Sequence, residues 1–88
     1  MAKKISEEKV RTFDATEEDG MKAWVLDQIK DLRLDIADRR KDGEKITSRW
    51  QFQVRPTKVN GRWEWQVWLV EHDANGEGPD VGTVAVRW

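Results

Sequence analysis

The chain contains no cysteine, which removes a disulfide framework and a thiolate site together. It has a single histidine, His72, set between Glu71 and Asp73. One imidazole falls short of the ligand set zinc requires, so His72 reads as a solvated strand end. No apolar run approaches the roughly eighteen residues of a membrane span. The opening MAKKISEEKV carries lysines without the apolar core of a secretory signal. Ser6 and Ser48 stand outside any nucleophile-elbow pattern, and NGEGPD lacks the lysine and following helix of a phosphate loop. The expectation is a non-enzymatic protein with no cofactor, no metal and no membrane partner, at home in the cytoplasm.

What the sequence does have is charge and tryptophan. Charged residues are 38% of the 88, mean hydropathy is -0.86, yet net charge is only -1. Six tryptophans and clustered Val, Ile and Leu supply the apolar surface that a disordered chain of this polarity would lack. The length suits one domain with one core of two layers. Residues 1–8 read as a flexible arm, and 9–88 as a single domain. The charge is unevenly spread: residues 14–42 hold nine acidic and six basic side chains, whereas residues 45–70 hold five basic ones against Glu64 alone.

KVRTF, Lys9 to Phe13, alternates well enough for a short first strand. In DATEED, Thr16 followed by Asp19 has the spacing of a capping box. Met21, Val25, Ile29, Leu32 and Ile36 then recur at steps of four, four, three and four, with Trp24 on the flank of that helical stripe. Arg39, Arg40 and Lys41 suit the negative end of the helix, and Gly43 suits its left-handed terminator. The rod so defined is about 37 Å long. Leu34 lies off the stripe and marks a lesser candidate contact surface.

The hairpin is the strongest signal. Asn60-Gly61 between alternating runs is a type I′ turn, and a two-residue loop fixes the register by pairing Val59 with Arg62. One face then gathers Phe52, Val54, Trp63, Trp65, Val67 and Leu69 toward the helix. Pro56 falls in a pair without mutual hydrogen bonds, which makes its strand an edge at least near the turn. Val84, Val86 and Trp88 share the parity expected in the core, and the last strand has an edge free to pair with another chain. The expected fold is α+β, (β)αβββ: one long helix packed on one face of an antiparallel three- to four-stranded meander.

One helix covers one face only, and Trp68 belongs to the other, with Gln51, Gln53, Arg55, Gln66, Val70 and Arg87 around it. An indole there fills space over Gln and Arg stems, or anchors a protein partner or a second copy of the chain. It can also stack the bases of a single-stranded nucleic acid while Arg55 and Arg87 meet phosphates. One exposed aromatic and a slightly negative chain favour the protein partner over the nucleic acid. Asp73, Asn75, Glu77 and Gly78 imitate the start of a calcium loop, but Val84 stands where a bidentate Glu is needed.

Overall fold

The computed structural model describes residues 3–74 and 81–88. The elements run β1 (Lys3–Asp14), a 3-10 turn (Ala15–Glu17), α1 (Glu18–Lys41), β2 (Ser48–Val59), β3 (Arg62–Asp73) and β4 (Val84–Arg87). They make an α+β fold in which α1 lies on one face of a four-stranded, mostly antiparallel sheet of order β1-β3-β2-β4. The candidate calcium pattern falls largely on residues outside those described. No helix among the described residues is long and apolar enough to cross a membrane.

The hairpin forms in the expected register throughout, from Val59↔Arg62 to Ser48↔Asp73. Asn60 and Gly61 take φ of 51° and 78°, the two left-handed residues a type I′ turn demands. α1 also ends as its sequence indicates. The Gly43 amide donates to the Arg40 carbonyl (3.0 Å) and the Glu44 amide to that of Arg39 (3.0 Å), a Schellman closure. Its start is different. The cap is Asp14, not Thr16, and it closes the 3-10 turn that leads into α1, whose own first position, Glu17, makes no side-chain cap: an Asp14 carboxylate oxygen accepts from the Thr16 amide (3.0 Å) and hydroxyl (2.6 Å). Glu17 accepts in return from the Asp14 amide (3.2 Å). β1 runs straight into the 3-10 turn, so the chain needs its cap at the last strand residue.

Two features of the sheet depart from the expected meander. β1 starts at Lys3, not Lys9, and residues 3–8, read as a flexible arm, pair with β3 from Leu69 to Asp73. Bulges between Lys4 and Ser6 and between Lys9 and Arg11 explain why the strand is hard to see. Each inserts one residue and breaks the period of two. Since β1 occupies the outer edge of β3, the last strand cannot continue the meander. β4 instead pairs with β2, in parallel, from Trp50↔Val84 to Gln53↔Arg87. The chain leaves β3 at the Ser48 end of β2 and re-enters from that same end, which sets the direction. Among the described residues β2 is therefore internal over residues 50–53 and open at its edge beyond them, where Pro56 sits.

The core lies between α1 and the sheet. Met21, Val25, Ile29 and Ile36 meet Phe13, Ile46, Trp50, Phe52, Val54, Val67 and Val84, with Trp24, Leu32, Trp65, Leu69 and Val86 packed around them. Trp65 donates its indole N–H to the Ala15 carbonyl (3.3 Å), tying the sheet to the start of the helix. Two aromatics on the helix-side parity stay outside the core: Trp63 is 55% and Trp88 53% exposed. Trp63 lies beyond the last β1 pair, Asp14↔Glu64, where the hairpin overhangs the helical layer. Trp88 follows β4 and stands 6.0 Å from the Lys22 ammonium.

Candidate functional site on the uncovered sheet face

Alternation along each strand sends every second residue away from α1. Across the middle of the sheet this aligns Lys9, Trp68, Gln53 and Arg87 in one row. Glu7, Val70, Gln51 and Ala85 form the next. Trp68 is absent from the helix-side cluster, as its parity requires. The residues singled out around it, Gln51, Gln53, Arg55, Gln66, Val70 and Arg87, are thus brought together on one face.

Their contacts show how the face is organised. The Arg55 guanidinium carbon lies 4.6 Å from the Trp68 ring centroid, a cation–π arrangement. The Trp68 indole N–H donates to Gln66 Oε1 (3.2 Å). Gln53 donates to Gln51 Oε1 (2.8 Å) and accepts from Arg55 (2.7 Å). Arg55 also donates to a Glu7 carboxylate oxygen. That hydrogen bond, with the charges of Arg55 and Lys4, holds the Glu7 carboxyl below the usual glutamate range. Val70 is only 1% exposed although it is no part of the helix-side core. It is a floor beneath the polar side chains and not itself a contact surface, which corrects its place among the partner-binding residues.

The face has a surplus of cations. Glu7 is matched by Lys4 and Arg55, and Asp14 by Arg62. Among the described residues, Lys9, Arg49 and Arg87 share this face with no carboxylate partner, against one carboxylate without an ion pair, Glu64. Where β4 stops, a recess of about 360 Å³ opens against the free edge of β2, lined by Gln53, Val54, Arg55, Pro56, Arg87 and Trp88. Two guanidinium groups, an amide and an indole around one recess suit a planar anion such as a carboxylate. Among the described residues no three His, Cys, Asp or Glu are grouped to hold a metal ion.

Sequence reasoning missed Glu7 and Lys9 on this face, because the bulges conceal β1, and Trp88 in the recess, because its parity pointed to the core. His72 is no freely solvated strand end: it is half-buried, and its Nδ1 is buried with no hydrogen-bond partner among the described residues. No family model, curated protein or solved structure matches the chain.

Proposed function

We propose that this is a small non-enzymatic binding protein that docks an acidic protein partner on the uncovered sheet face. Trp68 is the anchor, Arg55, Gln53, Gln66 and Gln51 its rim, and Arg87 the cation that receives a partner carboxylate in the recess. The observation that carries this is the surplus of Lys9 and Arg87 in the row of a half-buried indole, with Arg49 farther along the same face. Aromatic and arginine side chains at the centre of a contact are the types that dominate binding energy. Amides and guanidinium groups hold a partner; they exchange no protons near neutral pH.

A single-stranded nucleic acid is the weaker occupant. Stacking needs an open ring face, and Arg55 already covers one side of Trp68. Affinity capture from the native host, followed by titration of the recovered protein, separates the two. Trp68→Ala is expected to weaken an acidic partner by about thirtyfold, the scale of a hot spot, and Arg87→Ala by about tenfold. Unchanged affinity in both variants refutes the reading. So does an oligothymidylate that binds at 50 mM salt with a steep salt slope and competes for the face.

A further inference from the structure

A second surface lies on the helix side. A rod of about 36 Å, α1 crosses the sheet diagonally, from its start near Phe13 toward β4. The Arg33 guanidinium donates to the Val84 carbonyl (2.9 Å) and that of Arg40 to the Val81 carbonyl (3.2 Å), holding α1 toward that edge. The opposite corner, over β1 and β3, is left with less cover. There a groove of about 460 Å³ opens, floored by Phe52, Leu69, Leu32, Val10 and Trp24. Val10 is the extra residue of the second bulge, and its side chain lines the groove. A bulge re-aims a side chain in this way.

The lip of the groove is acidic. Asp31 and Asp35 line it from α1 beside Gln28, and Glu8, in register with Leu69, stands on the same face of β1. Asp35 has Arg39 at 3.9 Å, while Asp31 and Glu8 form no ion pair among the described residues. At the groove's other end Arg11 is engaged over Phe13 (4.3 Å) and Trp24 (5.1 Å). From Trp24 to Asp35 the wall measures about 16 Å, enough for two or three turns of a partner helix or four extended residues.

The geometry points to a peptide-docking groove that takes the apolar side chains of a Lys- or Arg-flanked segment of another protein. The apolar floor receives the side chains, and the lip carboxylates, Asp31 and Glu8 without an ion pair and Asp35 with Arg39 at 3.9 Å, receive the flanking cations. This surface is distinct from the Trp68 face and selects the opposite charge.

The test uses the full isotope-labelled chain and two capped tetrapeptides, Lys-Leu-Leu-Lys and Glu-Leu-Leu-Glu, followed by NMR titration. The cationic peptide is expected to give saturable shifts at the Trp24 indole N–H and at the Leu32 and Leu69 methyls. The acidic peptide should bind at least fivefold more weakly. Asp31→Asn with Asp35→Asn, two exposed changes that leave the core intact, should weaken the cationic peptide at least threefold. Trp68→Ala should leave it unchanged, which keeps this outcome separate from that of the sheet face. Absence of saturable shifts, equal response to both peptides, or full affinity in the double variant overturns the proposal.

Discussion

Gly82→Ala tests how the last strand is held, and with it the placement of Arg87. Gly82 has φ of 75°, donates its amide to the Ser48 carbonyl (2.7 Å), and precedes Thr83, whose carbonyl accepts from the Trp50 amide (2.9 Å). A Cβ at this position would land on the Arg40 guanidinium, which donates to the Val81 carbonyl (3.2 Å). Two costs follow. The left-handed backbone is about 1–2 kcal/mol unfavourable for an L side chain. Arg40, the flexible end of a long side chain, swings aside cheaply but gives up a hydrogen bond to an accessible carbonyl, about 0.5–1 kcal/mol. The sum is about 2 kcal/mol. For a domain of this size that lowers Tm by about 10 °C.

A double-mutant cycle in urea separates the two terms. Arg40→Ala alone loses the hydrogen bond and some favourable interaction with the helix terminus. In the double variant the hydrogen bond is lost only once. The combined cost should therefore fall short of the sum of the single ones by about 0.5–1 kcal/mol. Strict additivity, or a Gly82→Ala cost below about 0.5 kcal/mol, would falsify the account of this turn.

The remaining predictions concern the core and the acid limb of stability. Val67→Ala, at a site 0% exposed between α1 and the sheet, should cost about 2 kcal/mol in chemical denaturation. Leu34→Ala, at 58% exposure, should stay within about 0.5 kcal/mol of the parent; a larger loss would place Leu34 in a contact. Glu7 and Glu44 titrate below the ordinary glutamate range, held there first by hydrogen bonds from Arg55 and Arg39 respectively. Their stabilisation is complete above that range and is lost as pH falls through the depressed folded values. Glu7→Gln with Glu44→Gln should flatten Tm between pH 5 and about pH 3, and an unchanged acid slope would show that these pairs do not form in solution.

The parts of the fold legible in sequence are those where local chemistry dictates geometry alone. Asn60-Gly61 admits one turn type, that turn admits one register, and the register decides which of Val67 and Trp68 meets the helix. The same holds for the end of α1, where Gly43 and the preceding basic turn left little choice. What stayed hidden depends on partners distant in the chain. Residues 3–8 carry no alternation that single-strand reasoning can use, and they are a strand because β3 presents an unpaired edge and Arg55 reaches Glu7. The parallel placement of β4 then follows from β1, since the edge a meander would have used is already taken.

The uncovered face was legible for the same reason as the hairpin: once β3 is in phase, Trp68 and its row on β2 are fixed by counting. Its charge was not, because Lys9 enters through the concealed strand and because only the folded sheet brings Glu7 to Arg55 and leaves Arg87 unmatched among the described residues. The helix-side groove was beyond reach altogether. It is made by an angle, the diagonal of α1 over the strands, and by a bulge whose extra side chain, Val10, lines its wall. Asp31 and Asp35 look in sequence like any solvated helix face at i and i+4 spacing. What distinguishes them is the apolar floor beneath, beside a rod that its buried stripe seats on the sheet and that Arg33 and Arg40 clamp toward β4. Loosening those clamps should therefore alter the groove from a distance, which makes the setting of α1 the physical variable on which peptide docking depends.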